Sequence, residues 1–88
     1  LRMNEREPMP CKNMSDYVRS GDWSFYLDEP AEVIALRMST AALFLDHAKA
    51  TVSLCGSPSD SERSRWESAL EAVCAELGRR IDAAQVKP

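Results

Sequence analysis

Apolar positions in the last two thirds of the chain recur with the spacing of α-helices. Residues 30–55 carry apolar side chains at alternating intervals of three and four, and residues 58–84 carry them at intervals of three or four. Gly56 and Pro58, which lie between these segments, are typical of a place where one helix ends and the next begins. The pattern predicts an all-α fold in which a helix over about 30–55 and a helix over about 58–84 form a long antiparallel hairpin.

The two predicted helices differ in how many of their faces are apolar. Residues 58–84 have a single apolar stripe that begins at Trp66, which we expect to be a packing residue set against the small Ala48. Residues 30–55 have two apolar stripes on roughly opposite sides, and a neighbouring helix covers only one of them. The first stripe consists of Ile34, Met38, Ala41, Leu45, Ala48, Val52 and Cys55, and the second of Val33, Leu36, Thr40, Leu43, His47, Ala50 and Leu54.

The second stripe predicts association with another chain, because the first stripe is expected to face residues 58–84. The 29 residues before the hairpin have too few apolar side chains to cover a helix about 37 Å long. We therefore expect a homodimer in which two hairpins form a four-helix arrangement. The interface with a second copy or with a protein partner is predicted to contain Leu36, Thr40, Leu43, Phe44, His47, Ala50 and Leu54, together with Trp23, Phe25 and Tyr26.

Residues 1–29 show no sustained helical period and predict an irregular N-terminal arm. Two prolines within residues 1–14 disfavour regular structure, and residues 15–20 predict one short helical turn that Gly21 ends. The aromatic residues that follow form a patch with two interpretations. It is either a plug over one end of the helical core or a contact site for a partner, since Trp and Tyr dominate such sites. Residues 85–88 are predicted to be a frayed tail.

Composition and charge narrow the classes of partner. The chain has 88 residues, with 11 Lys and Arg against 14 Asp and Glu, so its net charge of -3 does not supply the positive surface that phosphate binding needs. The apolar stretch over 33–55 contains four ionisable side chains, which argues against a membrane span. No secretory signal stands in residues 1–14, so we expect a cytoplasmic protein without direct nucleic-acid or membrane contacts.

The sequence offers no pattern of catalytic or metal-binding residues. Three Cys and one His are too few for a convincing metal site, and the odd count excludes a complete disulfide framework. We expect three free thiols in a reducing compartment. His47 stands alone on an apolar stripe, which favours packing or an interface hydrogen bond over catalysis or pH sensing. We therefore expect no enzyme activity and no cofactor.

The combination of a short irregular arm, an aromatic patch and a two-faced helical hairpin resembles the small bacterial antiactivators of quorum sensing. Those helical proteins bind a LuxR-type transcription factor and block its activity. The resemblance covers residues 30–84 in shape only, and no functional residue is carried over. It implies a small regulatory protein that binds a transcriptional regulator and blocks its dimerisation or DNA binding. A DNA-associated regulator or antitoxin-like protein is one alternative, and a structural subunit or small-ligand-binding helical bundle is another.

Overall fold

The computed structural model describes residues 8–23 and 25–85, and these ranges fold into four α-helices. The predicted all-α class is confirmed, since the described residues contain no β-strand beyond a single parallel bridge between Met9 and Tyr26. The predictions for residues 1–7 and 86–88 lie outside these ranges. The helices are α1 (Met14–Ser20), α2 (Ala31–Arg37), α3 (Thr40–Cys55) and α4 (Asp60–Gln85).

Polar side chains cap the N-terminal ends of three of these helices. The Asn13 side-chain oxygen accepts a hydrogen bond from the Asp16 N–H at 2.9 Å and so begins α1. The hydroxyls of Ser39 and Ser59 accept from N–H groups three residues later, at 3.1 and 3.2 Å, and begin α3 and α4. Each cap satisfies an N–H that has no partner within its own helix. Pro30 stands immediately before α2, where its missing N–H costs nothing.

The first of the two predicted long helices is in fact two helices, so the prediction of one continuous helix there is wrong. Met38 has an extended backbone, with φ -80° and ψ 149°, and Ser39 caps the next helix. The Arg80 guanidinium donates to the carbonyl oxygen of Met38 at 2.8 Å and to those of Ala35 and Leu36 at 3.4 Å. These carbonyls lie at the end of α2, where intrahelical donors run out, although the Ala35 oxygen also accepts from the Met38 N–H at 3.2 Å. Polar contacts from α4 therefore stabilise a break that the helical period does not reveal.

Helix α4 is the element against which the other three helices pack. Arg80, near its C-terminal end, donates to the Thr40 hydroxyl in the first turn of α3 at 2.9 Å. Trp66 is buried, as expected of a packing residue, but its predicted partner Ala48 is exposed and lies outside the core. The core consists of Cys11, Met14, Val18, Ala31, Ile34, Ala35, Met38, Leu43, Ala50, Trp66, Ala69, Ala72, Val73 and Leu77.

The N-terminal segment is part of this core. Its short helix, α1, is held at both ends by charged side chains from other helices. At the first end, the Met14 N–H donates to the Asp46 carboxylate at 2.7 Å. At the other end, the Arg65 guanidinium donates to the Tyr17 carbonyl at 2.6 Å and lies 4.3 Å from the centre of the Tyr17 ring. Each charge has the sign that the helix dipole favours at that end.

Candidate interaction surface

One side of α3 presents large apolar side chains to solvent. Leu45 and Val52 are each 70% exposed, and Phe44 is 56% exposed. Their spacing along the helix places them on the same side. We call this side the outer face of α3. Its seven residues, all exposed, are Ala41, Phe44, Leu45, Ala48, Thr51, Val52 and Cys55.

The outer face carries no charge, because the charged residues of α3 are turned towards α1. The buried Asp46 carboxylate accepts from the first backbone N–H of α1, and the Lys49 ammonium donates to the Ser15 hydroxyl at 3.0 Å. The Thr51 hydroxyl donates to the His47 carbonyl oxygen at 2.9 Å, so its proton is already bonded within the helix. The result is an uncharged face about 21 Å long, at 1.5 Å per residue.

The opposite side of α3, its inner side, belongs to the core of the same chain. Leu43 and Ala50 are fully buried there, so the prediction that they contact another chain is wrong. His47 and Leu54 are half-buried, and Leu54 packs against the same core. The second sequence stripe therefore faces inwards along α3, whereas the α3 part of the first stripe, predicted to face the other helix, forms most of the outer face.

Three more of the predicted contact residues are exposed, but they do not share one helix. Phe44 is on the outer face of α3, and Thr40 stands at the first turn, where its hydroxyl accepts from Arg80. Leu36 is 60% exposed on α2, beyond the break at Met38. The break means that the stripe of α2 does not continue straight into that of α3.

The three aromatic residues predicted to form a patch do lie together. The Trp23 ring meets the Phe25 ring edge-on at 5.6 Å, and the Phe25 and Tyr26 rings are 4.5 Å apart. Trp23 is 51% exposed, whereas the other two are half-buried. The Tyr26 hydroxyl donates to the Asp16 carboxylate at 3.2 Å, which fixes the patch beside α1. Trp23 is thus the member with the most surface free for contact.

The sequence prediction missed most of the outer face, because it assigned five of these residues to the contact between the two long helices and left Thr51 outside both stripes. The sequence contains one signal that residues 30–55 form two helices. Ser39 is a good helix N-cap and a poor interior residue, so it marks a second helix start within the stretch. The missed residues are Ala41, Leu45, Ala48, Thr51, Val52 and Cys55.

Three ion pairs lower the pKa values of two carboxylates, one buried and one half-buried. Arg80, at 2.8 Å, and Arg79, at 2.7 Å, both bind Glu76 and lower its pKa, with Arg80 the larger cause. Arg37 binds Glu29 at 2.7 Å and lowers the pKa of that carboxylate in the same way. The two Glu76 pairs lie within α4, and the Glu29 pair joins α2 to the segment before it. Arg80 alone connects two helices, because it also donates to carbonyls at the end of α2. In the described structure, these ion pairs stabilise the fold.

The three cysteines are free and differ in accessibility. Cys55 and Cys74 are exposed, and Cys55 ends the outer face of α3. Cys11 is buried, and burial is the main cause that raises the pKa of its thiol, with the Asp16 carboxylate adding to it. The exposed thiols are therefore the ones that chemical probes reach.

Within residues 8–23 and 25–85 there is no pocket and no group of three His, Cys, Asp or Glu side chains placed to hold a metal ion. None of the four helices is both long and apolar enough to cross a membrane. Comparisons with protein-family models, curated proteins and solved structures each gave no match. Among the described helices, α3 exposes the most large apolar side chains.

Proposed function

We propose that the chain is a small regulatory protein–protein interaction module that binds its partner through the outer face of α3. The observation that carries the proposal is the alignment of Phe44, Leu45 and Val52 on one exposed, uncharged helix side. Exposed apolar patches that are contiguous mark interaction sites in small proteins. A helical face of this kind binds an amphipathic partner helix through side chains at intervals of three, four and seven residues.

In its sharpest form, the proposal is an antiactivator that binds a transcriptional regulator in the cytoplasm. An apolar helix of the regulator would lie along the outer face of α3, and the exposed Trp23 ring, which belongs to the patch beside α1, would be a separate aromatic contact for the regulator. The regulator helix would then be withheld from the regulator's own dimer, which blocks DNA binding without a chemical step or a cofactor. The net charge of -3 supports a protein partner over a nucleic-acid one.

The test is co-purification from a native lysate with three baits: the wild type, Leu45→Glu, and Ser64→Glu as the matched control. Both substitutions add one negative charge at an exposed helix position, but Ser64 is on α4. We expect a transcriptional regulator to be retained by the wild type and the control and to be lost from Leu45→Glu. Retention of the same proteins by all three baits would refute the outer face as the docking site.

The identified regulator is then purified and mixed with the protein, and its oligomeric state and operator binding are measured together. We expect the regulator dimer and its operator complex to decrease in parallel. Loss of operator binding with an intact regulator dimer would contradict competition for the dimer surface. Direct binding of this protein to the operator with a steep salt dependence would favour the DNA-associated alternative instead.

A further inference from the structure

We propose that, in the absence of a regulator, the outer face of α3 is covered by the same face of a second copy, packed antiparallel with Ala48 on the two-fold axis. The proposal rests on the proposed function, because it names a second occupant for the same surface. It moves the dimer contact to the side of α3 opposite the sequence prediction, since Leu43 and Ala50 are already buried in their own chain.

The first argument is that the face is self-complementary. With Ala48 facing Ala48 of the second copy, the antiparallel arrangement sets Leu45 against Thr51, Phe44 against Val52, and Ala41 against Cys55. Small residues on the axis and at both ends allow two helices to approach closely, while the larger side chains fill the space between. A two-fold interface requires this kind of matching of one patch with itself.

The second argument is electrostatic. Two chains of net charge -3 repel each other at long range, but no charged residue belongs to the contact itself. Lys49 and Asp46, the nearest charges in sequence, are bonded to α1. Added salt screens the repulsion between the two chains, and the contact contains no ion pair that salt would weaken. We therefore expect the dimer to tighten as the salt concentration rises, whereas a contact made of ion pairs would loosen.

The third argument is the size of the face. It is about 21 Å long and about 10 Å wide, the diameter of one helix. That footprint falls well below the roughly 800 Å² per partner of a standard stable interface. The expected dimer is weak and reversible, so a regulator that also contacts residues beyond the outer face would displace it.

Disulfide trapping tests the pairing and its direction. In a Cys55→Ser, Cys74→Ser background, Ala48→Cys places one thiol on the proposed axis, and Ser64→Cys in the same background is the matched exposed control. We expect Ala48→Cys to form a covalent dimer at least tenfold faster under mild oxidation, and Leu45→Glu added to it to slow trapping to the control rate. Equal rates for Ala48→Cys and Ser64→Cys would overturn the proposal.

A second pair of variants reports the direction. Ala41→Cys is compared with Cys55 present and with Cys55→Ser, both in the Cys74→Ser background. Antiparallel packing predicts trapping only when Cys55 is present, because the two positions lie about 21 Å apart within one chain and cannot pair there. Trapping of Ala41→Cys in the Cys55→Ser background would indicate parallel packing and would overturn the stated geometry.

Disulfide trapping and the lysate co-purification together distinguish failure of this inference from failure of the proposed function. If Ala48→Cys traps no faster than the control while Leu45→Glu still loses a regulator from the lysate, self-pairing is wrong and the docking function stands. If trapping succeeds while the retained proteins do not depend on Leu45, the dimer stands and the docking function is wrong. Circular dichroism of each variant verifies that the exposed substitutions leave the helical fold intact.

Discussion

The inner and outer sides of α3 have similar side chains and opposite environments. Leu43 and Leu45 are two residues apart and of the same type, yet the first is fully buried and the second is 70% exposed. Hydrophobicity therefore does not determine which side of this helix enters the core. The side is determined by where α1 and α4 lie, and polar contacts hold both helices in place.

Asp46 shows how this arrangement departs from the usual rule. A carboxylate normally marks a position that is exposed to solvent, yet Asp46 is buried on the inner side between Leu43 and Ala50. Its burial is compensated by the Met14 N–H, because the carboxylate accepts a hydrogen bond at the positive end of α1. The inner side is thus identified by a buried polar contact, and the outer face by having no charge.

The largest expected effect separates the two leucines. Leu43→Ala leaves a cavity in the core and should lower the free energy of unfolding by about 2–5 kcal/mol. Leu45→Ala should change it by less than about 0.5 kcal/mol, because its side chain already faces water. Urea denaturation at a protein concentration low enough to keep the chain monomeric measures both. Equal losses for the two variants would show that the assignment of the sides is wrong.

The next effect concerns the break that separates the stripes of α2 and α3. Arg80→Met removes the donor for the carbonyls at the end of α2 and should cost about 1.5–3 kcal/mol, the range for hydrogen bonds to charged groups. Arg79→Met is the matched control. Arg79 binds only Glu76 among the described contacts and is more exposed, so its loss should cost about 0–1 kcal/mol. Denaturation midpoints that fall equally would argue against a role for Arg80 in the break.

A smaller effect is expected where α1 meets the inner side. Asp46→Ala leaves the buried Met14 N–H without its acceptor, which should cost about 1–3 kcal/mol. Asp46→Asn retains an acceptor oxygen and should cost less. Lys49→Ala, the control on the same helix, removes an exposed contact to Ser15 and should cost no more than about 0.5 kcal/mol. Thermal melts rank the three, and a Lys49 effect as large as that of Asp46 would be inconsistent with this assignment.

The smallest effect is the pH dependence that comes from Glu29 and Glu76. Arginine partners lower the pKa of both carboxylates below the ordinary value of 4.5, so folding favours the deprotonated form. Their stabilisation is complete above that value and is lost as the pH falls through the lowered pKa. Melting temperatures between pH 7 and pH 3 should fall less steeply at the acid end for Glu76→Gln than for the wild type. Parallel curves would show that this pair does not contribute.

The helical class, the short helical turn before Gly21, the end of a helix at Gly56 and the burial of Trp66 could all be predicted from the sequence, because capping residues and periodicity are local signals. The sequence was insufficient for the orientation of α3. The polar contacts that fix the break join Arg80 to Met38 and Thr40, about forty residues apart, and no local pattern reports them. Without the break, each sequence stripe is continuous over residues 30–55. The stripe predicted to contact another chain is therefore the one that faces the core along α3, and the stripe predicted to face the other helix is the one that is exposed there.

The central claim is that the outer face of α3 is the contact surface between two copies of the chain and the inner side is not. Nuclear magnetic resonance of the isotope-labelled wild type, diluted from about 1 mM to about 10 μM, tests it most directly, since this range brackets the dissociation constants of weak dimers. We predict that the resonances of Leu45, Ala48 and Val52 shift with concentration while those of Glu71 on α4 stay fixed. Fixed resonances along all of α3, or shifts centred on α4, would contradict the claim.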